Sequence, residues 1–283
     1  MATYTADEIE GIARAGAAVD RALHAGVAAL GVGVTTAAVG RAVGDALDRA
    51  GARSATLGYP GPPDQPEVAA FGGVCCVCVN DEVLHGAPGD RVLQSGDLVT
   101  IDVAASLDGW FADAAVTRTV GSEVSDLERS ARAVLSACLE AGQAGERWSA
   151  VARAGHAAAE QQGVRLVPGY AGHGIGRALH EPPAAPFFAK SGTPIGSPIS
   201  GVGLEDDFTL EVGQILTLEP IVTRGSGELV TDADGWLVRT ADGAAACYEE
   251  RTVAVTRNGF RTLSGCEHKV VRGRERDPRT DRA

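Results

Sequence analysis

The chain has 283 residues, of which 45% are hydrophobic, enough for one large core or for two closely packed halves. Its formal charge of −12 and sequence pI near 4.9 argue against a face that binds nucleic acid. No apolar stretch approaches the roughly 20 residues of a membrane span, and the N-terminus lacks a basic-then-apolar signal pattern. We therefore expect a cytoplasmic protein without membrane contact.

The first part of the chain predicts two helices followed by strands. Helices are expected over 6–30 and 35–52, with a capping box at Thr5-Ala-Asp-Glu8 and an N-cap at Thr35 or Thr36. A proline-rich loop over 58–66 precedes the strands, because its four prolines and two glycines exclude regular structure. The predicted strands cover residues 73–79, 98–104 and 110–120. Cys75, Cys76 and Cys78 are interpreted as buried small residues of the first strand, since no second cysteine pair is spaced to complete a zinc site.

The second part repeats this order. Helices are expected over 125–144 and 148–162, again opened by a capping box, and strands over 174–180, 214–222, 235–240 and 245–256. Pro182 to Gly203 is predicted to be a loop or insertion. Gly96-Asp-Leu-Val-Thr-Ile-Asp102 is echoed by Gly213-Gln-Ile-Leu-Thr-Leu-Glu219, which indicates two related halves. We predict one pseudo-symmetric α+β domain over 1–271 and a disordered charged tail over 272–283.

Two aspartates, Asp102 and Asp113, are predicted to lie opposite each other. Closing a hairpin on the four-residue loop Ser106–Gly109 pairs Ala105 with Trp110 and then Asp102 with Asp113. Two like charges that face each other across a ladder destabilise the pair. Either one of them is protonated or a cation lies between them. A carboxylate-bridged pair of metals would offset the repulsion between the two aspartates.

Three histidines stand near glycines, and two glutamates stand side by side. His173 lies in Gly172-His-Gly-Ile-Gly176, and His180 follows seven residues later, so on an uninterrupted strand the two would face opposite ways unless a bend or bulge intervenes. His85 marks a turn, whereas His24, His156 and His268 are interpreted as ordinary structural histidines. Glu249 and Glu250 must face opposite sides of their strand; each is either a solvated charge or a metal ligand.

These residues together resemble the type I methionine aminopeptidases, which belong to the pita-bread metallopeptidases. The resemblance is carried by the pair Asp102 and Asp113, the pair His173 and His180, Leu218-Glu219-Pro220, and the segments Asn80–Gly86 and Gly172–Glu181. It covers about residues 6–264. It implies a pseudo-two-fold pita-bread (creatinase/aminopeptidase) fold, with a central antiparallel sheet and flanking helices, and removal of the N-terminal Met from new polypeptides with a small second residue.

The resemblance also implies the roles of individual residues. Five of them would bind two divalent metal ions that activate a hydroxide: Asp102, Asp113, His173, Glu219 and Glu250. In the family pattern Asp113 and Glu250 bridge the ions, and the spacing of fourteen residues from Trp236 selects Glu250 over Glu249, which then faces away. Mostly oxygen ligands with one imidazole suit Mn²⁺, Fe²⁺ or Co²⁺ and are compatible with Zn²⁺. Three residues would serve catalysis: His85 at the scissile amide nitrogen, His180 at the oxyanion, and Glu219 in proton exchange.

The side-chain pocket of the family matches Tyr59, Cys76 and Trp236, whose sulfur and aromatic faces suit a thioether. The chain departs from the pattern at Leu179, where an aromatic residue is usual, and at Arg251, where His is usual. The loops over 60–73 and 182–208 are longer than usual. The expected partners are peptide or nascent-protein N-termini, with a monomer and transient association with the ribosome. The alternatives are Xaa-Pro aminopeptidase or dipeptidase activity and a non-catalytic peptide-binding member of the fold.

Overall fold

The computed structural model describes residues 2–63, 65–188 and 207–265. Along the chain, a pair of helices followed by strands occurs twice. The helices are α1 (Ala6–Ala29), α2 (Thr36–Arg49), α3 (Asp126–Ala141) and α4 (Trp148–Gln161). The strands of the first half are β1 (Arg53–Ser54), β2 (Cys76–Val79), β3 (Glu82–Leu84), β4 (Leu98–Leu107) and β5 (Trp110–Thr119). Those of the second half are β6 (Arg165–Leu166), β7 (Ala171–Gly174), β8 (Glu181–Pro186), β9 (Ile215–Leu218), β10 (Val222–Thr223), β11 (Leu229–Thr231), β12 (Val238–Thr240), β13 (Ala246–Cys247), β14 (Arg251–Thr256) and β15 (Gly259–Thr262).

The four predicted helices are confirmed, and α1, α2 and α3 begin at the predicted caps, whereas α4 begins at Trp148 without a side-chain cap. Thr5 forms a full capping box with Glu8, and the Thr35 hydroxyl accepts a hydrogen bond from the backbone N–H of Ala38. At α3 the capping box is only half formed. Ser125 accepts from the Glu128 N–H, but the Glu128 carboxylate is buried and instead accepts from the backbone and hydroxyl of Thr119. The prediction of a second capping box is therefore wrong in one respect, because the Glu128 carboxylate does not bond to the backbone of Ser125.

The hairpin of β4 and β5 is present, but its predicted register is wrong by two residues. The strands extend to Leu107 and Trp110, which pair directly, so the turn is only Asp108-Gly109, both at positive φ. This two-residue turn suits the twist of the strands better than a four-residue loop. Asp102 consequently lies opposite Ala115, while Asp113 lies opposite Ala104. The two aspartates are diagonal neighbours on one face of the sheet.

The strand predicted over 174–180 is also wrong. The strand is β7, which ends at Gly174, and residues 175–180 bend away before β8 begins at Glu181. The register of β7 and β8 shifts between His173 and Gly174, where the strand bulges. Because β8 covers 181–186, the loop predicted from Pro182 begins later than expected. The strand predicted over 245–256 is interrupted between β13 and β14.

Each half has its own core, and the four-stranded sheet of the first half meets the five-stranded sheet of the second. The described residues also form two three-stranded sheets, with the orders β13-β10-β6 and β11-β12-β3. The helices α1 and α2 pack with β4 and β5 around one buried cluster, and α3 and α4 pack with β9 and β14 around a second. Strands β1, β2 and β5 pair with β4, whereas the five-stranded sheet has the order β15-β14-β9-β7-β8. Thr252 of β14 joins the halves, because its hydroxyl donates to the Asp113 carbonyl and accepts from the Asp113 N–H. This pseudo-symmetric arrangement is the one predicted.

Five cysteines in the described ranges are free and buried, as predicted for Cys75, Cys76 and Cys78. No helix among the described residues is long and apolar enough to cross a membrane. Several predictions fall outside the described residues: the tail over 272–283, the structural reading of His268, and most of the expanded segment over 182–208.

Candidate metal centre and active site

One cavity of about 350 Å³ opens where the four-stranded and five-stranded sheets meet, and every residue singled out from the sequence as a site residue lines it. The predicted metal ligands in its wall are Asp102, Asp113, His173, Glu219 and Glu250. The predicted substrate contacts in its wall are Tyr59, Cys76, His85, His180 and Trp236. These ten side chains come from segments that span residues 59 to 250, and the fold brings them together.

Asp102 and Asp113 supply one side of the acidic cluster from adjacent strands. Because they are diagonal neighbours on one face, both carboxylates point into the cavity. The Tyr248 hydroxyl, completely buried, donates to Asp102 Oδ2 at 2.7 Å. Asp113 Oδ1 is buried and has no hydrogen-bond partner within the described part of the chain. Such an orphaned acceptor is costly unless a cation or a proton satisfies it.

Glu250 also lines the cavity, whereas Glu249 does not, as alternation along an extended segment requires; both residues lie between β13 and β14. The expected solvent exposure of Glu249 is wrong, since only 1% of the residue is exposed. Its carboxylate lies in a cluster of arginines, with Arg118, Arg132 and Arg251 all in contact. A charge that faces away from the cavity is here buried between the sheet and α3.

His173 presents an unprotonated ring nitrogen to the acidic cluster. Its Nδ1 lies 2.9 Å from the Gly174 carbonyl, which can only accept, so Nδ1 carries the proton. Nε2 is then the free acceptor, 3.9 Å from Glu219 Oε1. Thr217 fixes both residues, because its hydroxyl donates to Glu219 Oε1 and accepts from the His173 N–H. Burial and the neighbouring His180 lower the pKa of His173 to about 4, which keeps the ring neutral.

The electrostatics of the acidic cluster fit divalent cations. Burial, then the neighbouring acids, raises the pKa values of Asp113 and Glu250 well above the ordinary range, and burial likewise raises the pKa of Asp102. Burial raises the pKa of Glu219 to about 8. Among the described residues, ligand atoms of Asp113, His173 and Glu250 all lie within 4.8 Å of one another. Four such carboxylates are stable as anions only beside compensating positive charge.

His85 and His180, the two histidines predicted to contact the substrate, lie beside this cluster. The rings of His173 and His180 are 4.4 Å apart, so the bend that their spacing required is present. The Tyr59 hydroxyl lies 2.7 Å from His180 Nδ1. His85 has a positive φ of 58° and contacts the rings of Tyr170 and Trp236. Burial lowers the pKa values of both His85 and His180, so both rings are neutral near pH 7.

The apolar end of the cavity is built around Phe71, which the sequence did not single out. Phe71 is 4% exposed and packs edge-on against Trp236, with ring centroids 5.2 Å apart, in a cluster with Cys76 and Tyr59. The Trp236 indole N–H donates to the Ala69 carbonyl and so ties down the long loop. A single Phe in a loop rich in Gly and Pro carries no periodic signal.

Tyr248 was also missed, although a signal for it existed. It precedes Glu250 by two positions, and residues two apart in an extended segment share a face. Leu179, the departure from the aromatic pattern, is buried and lines the cavity. His156 is structural as expected, since its Nε2 bonds to the Phe187 carbonyl.

Comparisons with known proteins find a family, related sequences and related folds. The model of metallopeptidase family M24 matches residues 10–257. The chain is 38% identical over 271 residues to methionine aminopeptidase 1 of Mycobacterium tuberculosis, covering 92% of this chain and 93% of the relative. It is 32% identical over 260 residues to the methionine aminopeptidase of Aquifex aeolicus, covering 90% and 95%. The crystal structure of the methionine aminopeptidase from Thermotoga maritima matches with a TM-score of 0.82 at 31% identity, covering 94% of this chain and all of that one.

Proposed function

The chain belongs to metallopeptidase family M24, and we propose that it is a type I methionine aminopeptidase that removes the first residue from polypeptides beginning with Met. The resemblance inferred from the sequence is therefore confirmed for the family. The observation that carries the proposal is one cavity in which two buried and two half-buried carboxylates and a neutral imidazole adjoin a pocket of sulfur and aromatic rings.

The five proposed ligands, Asp102, Asp113, His173, Glu219 and Glu250, would hold two divalent cations. The orphaned Asp113 Oδ1 and the raised pKa values of the acids support this assignment. When bound, such cations lower the pKa of a coordinated water and polarise the scissile carbonyl. The oxygen-rich donor set with one imidazole favours Mn²⁺, Fe²⁺ or Co²⁺ and is compatible with Zn²⁺.

The side chains around the cluster move protons and orient the substrate. If Tyr59 donates to Nδ1 of the neutral His180, the ring proton resides on Nε2, which donates to the oxyanion that forms at the scissile carbonyl. Glu219, held by the Thr217 hydroxyl and open to the cavity, accepts a proton from the attacking water and returns it to the leaving amine. His85 contacts the nitrogen of the scissile amide.

The first side chain of the substrate occupies the pocket formed by Tyr59, Phe71, Cys76 and Trp236. A flexible thioether fits such a wall of sulfur and ring edges well. The second side chain would lie close to His85 and His180, where a bulky group would displace the carbonyl. A misplacement of about 1 Å can cost roughly 100-fold in rate. We therefore propose a preference for Ala, Gly or Ser at the second position.

The rest of the polypeptide has a way out of the cavity. A wide cleft continues from it and shares the lining residues Tyr170, Ala171 and Ala184. Its other walls come from β8 and β11, which are both terminal strands of their sheets. We propose nascent or mature protein N-termini as substrates, a cytoplasmic location, a monomeric state and transient contact with the ribosome.

The test compares three peptides in the presence of Mn²⁺, Fe²⁺, Co²⁺ or Zn²⁺. Met-Ala-Ser is expected to be cleaved much faster than Met-Leu-Ser, and Ala-Pro is expected to be a poor substrate. Equal kcat/KM for the two Met peptides would refute the size rule. A strong preference for Ala-Pro would instead assign the chain to the proline-specific branch, and failure to cleave any of the three would favour a peptide-binding role.

A further inference from the structure

Arg251 directly follows the proposed metal ligand Glu250, and its guanidinium binds three acceptors at once. Nη1 donates to the Glu250 carbonyl at 2.7 Å and to the Ala115 carbonyl at 3.3 Å, while Nη2 donates to Glu249 Oε2 at 3.0 Å. The Arg251 side chain is only 13% exposed. A planar group with several fixed donors is needed to satisfy three such acceptors, and a lysine ammonium cannot reproduce this geometry.

Glu249 anchors this guanidinium to the rest of the fold. Its second oxygen, Oε1, accepts from the Thr117 N–H at 3.3 Å, from Arg118 at 3.1 Å and from Arg132 at 3.4 Å. Arg118 and Arg132 also contact Glu128, a completely buried residue of α3. Glu249 is therefore held mainly by β5, because its contacts with Thr117 and Arg118 are the shorter ones and remain when the Arg132 contact is removed.

The acceptors of Arg251 lie on the two segments that carry the proposed metal ligands Asp113 and Glu250. Ala115 belongs to β5, two residues after Asp113, and its carbonyl also accepts from the Glu250 N–H at 2.9 Å. Arg251 thus adds a second tie between the backbone of Glu250 and the strand of Asp113. Gly265 packs directly against these groups, since a Cβ at that position would collide with Arg251 and with the Glu250 carbonyl.

We propose that Arg251, held by Glu249, is a positioning residue that fixes the Glu250 backbone against β5 and so sets the spacing of the Glu250 and Asp113 carboxylates for divalent cations. The inference rests on the proposed function, because it assigns these carboxylates to the metal centre. Groups that orient metal ligands from outside the ligand set alter metal affinity by about 10- to 100-fold when removed.

The experiment titrates metal-free protein with Co²⁺ by calorimetry, and it measures the free energy of unfolding in chelator in parallel. Arg251→Met is expected to raise the Kd for Co²⁺ by about 10- to 100-fold. Arg251→Lys retains the charge but not the planar set of donors, and it is expected to raise the Kd by an intermediate factor. It provides the measurement if the Met variant does not fold. Arg132→Met is the matched control: it also removes a cation from Glu249, and it is expected to lower stability while leaving the Kd unchanged.

Glu249→Gln and the double variant Glu249→Gln/Arg251→Met test whether the two residues act together. The double variant is expected to bind Co²⁺ no more weakly than Arg251→Met alone, because Glu249 acts through Arg251. A wild-type Kd in both Arg251 variants, an equal effect of Arg132→Met, or fully additive losses would each overturn the positioning role. A wild-type chain that binds no Co²⁺ would instead overturn the metal centre and the proposed function with it.

Discussion

Raising the pH should destabilise the metal-free protein and should strengthen its binding of metal. Glu219 is the clearest case, because burial raises its pKa from an ordinary 4.5 to about 8. Between these two values the folded protein retains a proton that the unfolded chain has lost. Stability therefore falls as the pH rises through this range.

The useful window lies between pH 6.5 and 8. Below it, His173 acts in the opposite direction, because its pKa is lowered from 6.5 to about 4 and the unfolded chain gains that proton first. Within the window one retained proton corresponds to about 1.4 kcal/mol per pH unit, or about 2 kcal/mol in total from Glu219. The raised pKa values of Asp113 and Glu250 add to the loss in the same direction.

Urea unfolding in chelator at pH 6.5, 7.2 and 8 measures this slope. Glu219→Gln is expected to reduce the slope by about 1.4 kcal/mol per pH unit, since it removes one titrating group. With excess Mn²⁺ the sign should reverse, because the ligands must lose their protons to bind metal. A metal-free protein whose stability is constant or rises across the window would refute the reasoning.

Three further substitutions probe single contacts of the site. Asp113→Asn should abolish tight metal binding yet raise the stability of the metal-free protein, because it removes a buried acid from beside Asp102 and Glu219; unchanged Co²⁺ binding by calorimetry would contradict this. Tyr248→Phe removes the 2.7 Å hydrogen bond to Asp102 and should weaken Co²⁺ binding by about tenfold, whereas a wild-type Kd would make the bond irrelevant. Tyr59→Phe should lower kcat for Met-Ala-Ser with little change in metal affinity, since it frees the ring of His180; the opposite split would place its role at the metals.

The family resemblance, carried by residue types and their spacing, predicted which side chains line the cavity, and their roles stay predictions. The diagonal arrangement of Asp102 and Asp113 was not predicted, although either register puts both on one face. The difference was decided by Asp108, which takes a positive φ and shortens the turn to two residues. A preference of this kind for αL conformation in Asp is weak in isolation.

The surroundings of Glu249 could not have been predicted in the same way. Strand alternation says which side a residue faces, but it does not say what packs against that side. Arg118 and Arg132 reach Glu249 from more than a hundred residues away in the chain. Only the packing of α3 against the sheet makes a charge on the outer face into a buried one.

The most direct test of the account is the release of free Met from Met-Ala-Ser by metal-free protein to which Mn²⁺ is added in measured equivalents. The account predicts no release in chelator, activity that rises with added metal and reaches a plateau near two equivalents, and its loss in Glu250→Gln. Full activity in chelator, or a wild-type titration in Glu250→Gln, would contradict the assignment of these carboxylates to a catalytic metal centre.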